Sequence, residues 1–213
     1  MGQGSDGILS FPIRFIHEKL GFSPNQISTA GFIVGIVAAG FVATGRMLEG
    51  IIALALSQII DGLDGGVARR YNLQSEKGQM LEAVYDRLNE LMFFLALAYV
   101  GVASYLIVIL AFIAILLVTI IEPLSHFDPG FKRFMMYFGY LATVILSVRG
   151  FEIALHVVFF ANLSGFLIGT IMVDYRLQKE IDTQAIRRRE VERAVGSPQP
   201  PEDPPSFLSR LFS

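Results

Sequence analysis

Leu91–Ile121 reads LMFFLALAYVGVASYLIVILAFIAILLVTII, a run of 31 residues without a charge. A bilayer crossing takes about 20 apolar residues, so the run is too long for one crossing. Small and polar residues at Gly101-Val102-Ala103-Ser104 interrupt it, which divides it into the end of one helix and the whole of the next. Outward from it, Leu20–Gly45 is also free of charge, as are Phe134–Val148 (15 residues) and Ile153–Val173 (21 residues). These lengths predict an all-α polytopic membrane protein with six transmembrane helices, near Gln26–Thr44, Ile51–Arg69, Gly78–Val102, Ser104–Ile121, Arg133–Val148 and Glu152–Tyr175. A secretory signal would carry its apolar run nearer the start, and a single buried soluble core would not repeat such lengths.

The composition agrees. Of 213 residues 53% are hydrophobic and 17% charged, against about 25% charged in a soluble domain. Seventeen Lys and Arg against nineteen Asp and Glu leave a net charge of -2, so no basic excess proposes nucleic acid as a partner. The chain has no cysteine, which excludes disulfides, thiolate metal sites and thiol chemistry. Its three histidines, His17, His126 and His156, are too dispersed for a local zinc signature, so carboxylates are the available metal-binding and acid/base groups.

With both termini on one side, only Arg46 and Arg149 of the basic residues fall in far-side loops. The positive-inside rule then makes the side of the termini cytoplasmic. Before Gly21, the apolar Ile8, Phe11, Phe15 and Ile16 alternate with Arg14, Glu18 and Lys19, which predicts an N-terminal amphipathic helix lying in the interface. Past Tyr175, a charged helix-like stretch with Arg187–Arg189 leads into Gly196-Ser197-Pro198-Gln199-Pro200-Pro201, read as a charged, flexible cytoplasmic tail. The division is 1–22 for the interfacial segment, 23–176 for the membrane domain and 177–213 for the tail.

Charges inside the second and third predicted spans carry the function. Asp61, Asp64, Glu82, Asp86, Arg69 and Arg87 sit at their cytoplasmic ends. Each charge costs about 2.5–3.5 kcal/mol at a membrane centre, so the cluster needs a polar cavity or paired charges. On a helix Asp61, Asp64, Gly65 and Ala68 share one face, at i, i+3, i+4 and i+7. Gly78, Glu82 and Asp86 share another, at i, i+4 and i+8. Four facing carboxylates repel unless a cation lies between them, and all-oxygen ligation suits magnesium, manganese or calcium. Gly65 and Ala68 leave room for a ligand at the helix backbone, and Arg69 supplies a fork of donors for phosphate. An internal ion-pair network tying two helices together is the plainer alternative, but it does not require small residues beside the acids.

Asp61-Gly62-Leu63-Asp64-Gly65-Gly66-Val67-Ala68-Arg69, then Gly78, Glu82 and Asp86 at the following spacings, resembles the signature of the CDP-alcohol phosphotransferase family, D-x2-D-G-x2-A-R-x8-G-x3-D-x3-D. Every spacing matches, and only Glu82 departs in residue type, where the family usually has aspartate. Pro24-Asn25, just before the first span, resembles the pair that often opens family members.

The resemblance implies an integral-membrane transferase that moves a phosphate-linked, phosphatidyl-type group from a CDP-alcohol to an acceptor alcohol and releases CMP, in phospholipid or polyol-phosphodiester synthesis. Carried over by position, Asp61, Asp64, Glu82 and Asp86 hold Mg2+ or Mn2+, and Asp86 takes the acceptor's proton. Asp61, Asp64, Gly65, Ala68, Arg69 and Gly78 line the CDP pocket. Lys132, Arg133 and Arg176 are the acceptor-side candidates, for a small alcohol or polyol phosphate. Membrane lipids and a second copy of the chain, as a homodimer, are the implied partners, in the cell membrane with the active site facing the cytoplasm. His126 reads as a solvated loop residue, and His156 and Asn162 as helix-to-helix hydrogen-bonding groups. An ion or metal carrier built on the same acids, an intramembrane aspartyl protease, and an inactive member degraded at Glu82 are the alternatives. The carrier lacks a visible internal repeat, and the protease leaves the Gly, Ala and Arg spacing unexplained.

Overall fold

The computed structural model describes residues 13–130 and 132–195, all of whose regular structure is helical. Six α-helices follow a short π-helical turn at Phe15–Lys19. They are α1 (Pro24–Ala43), α2 (Met47–Arg70), α3 (Glu76–Tyr99), α4 (Tyr105–Ser125), α5 (Phe134–Leu146) and α6 (Gly150–Val195). By length and composition α1, α2, α4 and the stretch Gly150–Arg193 of α6 are each sufficient to cross a membrane. The third helix is continuous, but charges in its first half interrupt its apolar character. The fifth has 13 residues, a length of about 20 Å against a hydrocarbon core of about 30 Å.

Local chemistry sets the ends. Ser23 and Gln26 form a reciprocal cap at the start of α1, with Ser23 N donating to Gln26 Oε1 at 2.9 Å, and Pro24 occupies the first turn. Ser75 Oγ accepts from Gly78 N at 3.1 Å to open α3, and Ser104 Oγ accepts from Leu106 N at 3.1 Å to open α4. The long apolar run breaks where expected: α3 stops at Tyr99, Gly101 turns the chain at φ +78°, and Ser104 starts the next helix. At the far end of α4 the helix passes through Pro123 and ends at Ser125, four residues beyond the expected Ile121. A proline in the last turn removes one backbone bond, and His126 N still reaches Glu122 O at 2.7 Å.

Two compact units make up the chain, 1–169 and 170–213. In the first, α1 packs along α2 and α3, α3 along α4, and α2 touches α5. The face of α1 turned inward is Ser28, Gly31, Gly35, Ala38, Ala39 and Val42, a stripe of small residues of the kind that lets membrane helices approach closely. A Cβ on Gly35 would run into the Asn89 side chain, and one on Gly31 into the Asp61 carboxylate. Ser57 Oγ donates to the Gly31 carbonyl at 2.9 Å across the same seam. Beyond it Leu54, Phe93, Phe94, Leu97, Val108, Ile115, Met136 and Leu155 form a continuous core. Ile33, Ile52, Ile59, Ile109, Ile113, Ile120 and Ile145 remain exposed, the surface a lipid-embedded bundle presents.

Of the expected amphipathic segment, Ile8 and Phe11 lie outside the described residues, and Phe15 and Ile16 fall in the π-helical turn. That turn is fastened to the end of α2: Tyr71 Oη donates to Glu18 Oε1 at 2.7 Å, the His17 and Tyr71 rings lie 4.2 Å apart, and Ile13 packs with Ile27 and Val67. In the second unit the chain is helical to Val195, and every residue from Asp174 to Arg193 is exposed. The Pro-rich segment from Gly196 lies outside the described residues.

Gly35→Ala tests the seam. It gains helix propensity but forces Asn89 aside, so it is expected to lower stability by about 1–3 kcal/mol. Gly40→Ala, at a position with open space around it, is expected to be neutral or slightly stabilising; thermal unfolding of the two variants in detergent compares them.

Candidate active site

Both α2 and α3 pack along α1, and the end of α2 is joined to the start of α3 by residues 71–75. Asn72, at φ 53°, provides the reversal. This places Asp61, Asp64, Gly65, Ala68 and Arg69 opposite Gly78, Glu82 and Asp86, as the two face patterns require.

The four carboxylates stand in different surroundings. Asp64 is 2% exposed. Ser28 Oγ of α1 donates to its Oδ2, while Oδ1 is buried and without a hydrogen-bond partner. Asp61 and Asp86 share one cation: Arg133 Nη1 lies 2.8 Å from Asp61 Oδ2, and Nη2 lies 2.8 Å from Asp86 Oδ2. A single guanidinium at the start of α5 thus joins α2 to α3, using the planar fork that suits two carboxylates. Glu82 is half-buried.

Two clefts open on this row. The first, about 160 Å³, is lined by Asp64, Gly65, Ala68, Arg69, Gly78 and Glu82, together with Asn25 and Ser28 of α1. Its small residues keep it open. A Cβ on Gly65 would stand 3.1 Å from Arg69 Nη1, and one on Gly78 would stand 3.0 Å from Ser75 Oγ and 3.2 Å from Asn25 Oδ1. The second, about 300 Å³, is lined by Asp61, Asp86, Arg87, Glu90, Lys132 and Arg133 among others. Lys132 is buried there and pairs with Asp128 at 3.1 Å.

Of the expected CDP-pocket residues, Asp64, Gly65, Ala68, Arg69 and Gly78 therefore share one cleft, whereas Asp61 faces the other. Of the acceptor-side candidates, Lys132 and Arg133 line the second cleft beside Asp86, and Arg176 belongs to the second unit. His126 is exposed in a left-handed conformation at the end of α4, as a loop residue. The expectation for His156 and Asn162 is corrected: each bonds its own helix, His156 Nδ1 with Glu152 O and Asn162 Nδ2 with Val158 O, both at 2.8 Å. On a helix a carbonyl one turn back is within hydrogen-bonding reach of such side chains.

The sequence reading missed Ser28 and Glu90. Ser28 was visible as the residue one turn after Asn25 at the head of the small-residue stripe. Glu90 was visible as the next step of the Gly78, Glu82, Asp86 pattern. The double ion pair of Arg133 had no local signal, since its partner Asp61 is 72 residues away.

A hard divalent cation fits this donor set in kind: every candidate ligand is a carboxylate oxygen, and the orphaned Asp64 Oδ1 is a buried acceptor that a cation would satisfy. In the arrangement described, no three carboxylates gather at ligand spacing among the described residues, and Arg133 neutralises two of the four.

Comparison with known proteins places the fold. Residues 22–172 match the sequence profile of CDP-alcohol phosphatidyltransferase. The inner membrane protein YnjF of Escherichia coli is 35% identical over 69 residues, 32% of this chain and 33% of that protein. The archaetidylinositol phosphate synthase of Pyrococcus horikoshii is 33% identical over 88 residues, 41% of this chain and 46% of the other. The aligned stretches thus span less than half the length of these relatives. Among solved structures, Mycobacterium tuberculosis phosphatidylinositol phosphate synthase with CDP-DAG bound superposes with a TM-score of 0.65 at 14% identity, over 78% of this chain and 93% of that one. The same enzyme has been crystallised with manganese and citrate, with a TM-score of 0.65. With a profile match over most of its length and the same fold as a solved structure, the chain belongs to the CDP-alcohol phosphatidyltransferase family.

Proposed function

We propose that this chain transfers a phosphatidyl-type group from a CDP-activated lipid alcohol to an acceptor alcohol, releasing CMP, at the cytoplasmic face of the cell membrane. The observation that carries this reading is that two clefts meet on one row of carboxylates. One is edged by small residues and Arg69, and the other by Asp86, Lys132 and Arg133.

In this reading the first cleft takes the CDP moiety. Gly65, Ala68 and Gly78 admit it against the helix backbones, and Arg69 binds a diphosphate oxygen. Asp61, Asp64, Glu82 and Asp86 would hold a divalent cation, magnesium or manganese, which supplies neutralisation of the diphosphate and of the leaving CMP. Ser28 holds Asp64 in place through its hydroxyl. The acceptor enters the second cleft, where Lys132 and Arg133 attract an anionic group. Its hydroxyl oxygen bonds to the lipid-side phosphorus of the donor as the bond from that phosphorus to CMP breaks, and the hydroxyl proton passes to the Asp86 carboxylate. Placement at helix ends lets the lipid tails stay in the bilayer while the nucleotide arrives from water.

The same reading gives the chain six crossings, an interfacial N-terminal helix, a charged cytoplasmic tail and a homodimeric assembly. The relatives named above support the donor class: one is an archaetidylinositol phosphate synthase, and another was crystallised with CDP-DAG.

Acceptor-dependent CMP release by the purified protein, with CDP-diacylglycerol as donor, is the test. Asp86→Asn is expected to lower turnover about 10²- to 10⁴-fold while CDP binding, followed by calorimetry, persists. Chelation is expected to abolish turnover, and either Mg2+ or Mn2+ to restore it. Absence of CMP release with every donor and acceptor, together with absence of CDP binding, would overturn the reading.

A further inference from the structure

Part of the lining of the second cleft belongs to no helix. Residues 126–133 join α4 to α5, and Asp128 and Gly130 from this connection line the cleft beside Lys132 and Arg133. The connection turns in left-handed conformations at His126, φ +55°, and at Gly130, φ +66°. Three contacts fix its shape. The buried Ser125 Oγ accepts from Phe127 N at 3.2 Å, and Asp128 Oδ1 accepts from Gly130 N at 3.0 Å. Pro129 rests on α6 at Gly165, where a Cβ would come within 2.8 Å of the proline ring.

Lys132 is 6% exposed, and a buried ammonium is retained only with a counter-charge. Its Nζ lies 3.1 Å from each Asp128 oxygen. The acids of the cleft have other cations: Asp61 and Asp86 share Arg133, and Glu90 pairs with Arg87. From this we infer that Asp128 is a positioning residue for the transfer reaction: fixed by the turn it closes and by the seat of Pro129 on Gly165, it holds the Lys132 ammonium at the acceptor cleft. The inference rests on the reading of the second cleft as the acceptor site.

The chemistry of the pair suits that role. An ammonium has three N–H donors, so two carboxylate oxygens leave at least one for an anionic group of the acceptor. A lysine stem is flexible, and an ammonium free to wander would have to be ordered each time an acceptor bound. Asp128 orders it in advance, which lowers the cost of binding. Asp128 acts through Lys132 and touches no reacting atom, so its loss should weaken acceptor binding and leave the chemical step largely intact.

The experiment uses the full-length purified protein with CDP-diacylglycerol as donor. Glycerol 3-phosphate, inositol 1-phosphate and serine, each of which carries an anionic group, are offered as acceptors, and KM is followed for the one that gives the fastest CMP release. Asp128→Asn is expected to raise that KM about tenfold, with kcat changed less than about threefold and CDP affinity by calorimetry within about twofold. Lys132→Met is expected to raise KM at least as much. In the double variant KM is expected to match Lys132→Met alone within about twofold, because Asp128 acts through Lys132. Gly165→Ala tests the same role without touching the ion pair: by displacing Pro129 it is expected to raise KM, and Pro129→Ala, which removes the ring carbons that the new Cβ meets, to restore it. A residue that only steadies the loop would lower thermal stability with KM unchanged, or would add its effect to that of Lys132→Met. Either result would overturn the positioning role and leave the transferase standing. Silence with all three acceptors would overturn the transferase reading and this role with it.

Discussion

Carboxylates in a membrane bundle must be neutralised, and the way this chain does so organises the rest of the structure. Asp61 and Asp86 lie on different helices and are held by the two nitrogens of Arg133, each at 2.8 Å. In a low-dielectric setting such a pair is retained only if both charges are well compensated. The arrangement brings α2, α3 and the start of α5 to one point. The small-residue face of α1 then becomes necessary, since Gly31 must pass directly over Asp61 and Gly35 over Asn89. Ser28 at the head of that stripe bonds Asp64. The acids are therefore held by contacts from α1 on one side and α5 on the other.

This arrangement divides one row of acids between two cavities. Asp64 and Glu82 face a cleft whose walls are glycine, alanine and Arg69. Asp61, Asp86 and Glu90 face one whose walls carry Lys132, Arg133, Arg87 and Gln58. A transferase needs a donor and an acceptor to reach the same reacting atoms from different directions. Two clefts sharing one row offer two directions of approach. Because the row lies at helix ends, a substrate with one end in lipid and the other in water can reach it.

What could be read in advance was whatever depends on spacing along one helix. The face patterns of Asp61, Asp64, Gly65 and Ala68, and of Gly78, Glu82 and Asp86, follow from 3.6 residues per turn, and the structure places both. The break at Gly101–Ser104 was legible because glycine and an N-capping serine each have a local role. The grip of Arg133 was not legible, since it spans 72 residues; the sequence offered Arg133 only as an acceptor-side candidate at a helix start. The fourth span was expected to end near Ile121, yet the helix runs through Pro123 to Ser125, because one missing bond in a last turn is tolerated. His156 and Asn162 were read as contacts between helices and instead turn back on their own. A side chain's choice between its own backbone and a neighbour depends on packing that spacing does not encode. Glu90 was a further turn of a pattern already in hand, and its burial gave it meaning.

The central claim is that one carboxylate row serves a nucleotide cleft and an acceptor cleft. Anomalous diffraction at the manganese edge, from crystals of the protein soaked with Mn2+ and CDP, tests it most directly. The account predicts an anomalous peak among Asp61, Asp64, Glu82 and Asp86, with the cytidine diphosphate in the cleft lined by Gly65, Ala68 and Gly78. Manganese bound away from that row, or CDP seated in the cleft of Lys132 and Glu90, would contradict it.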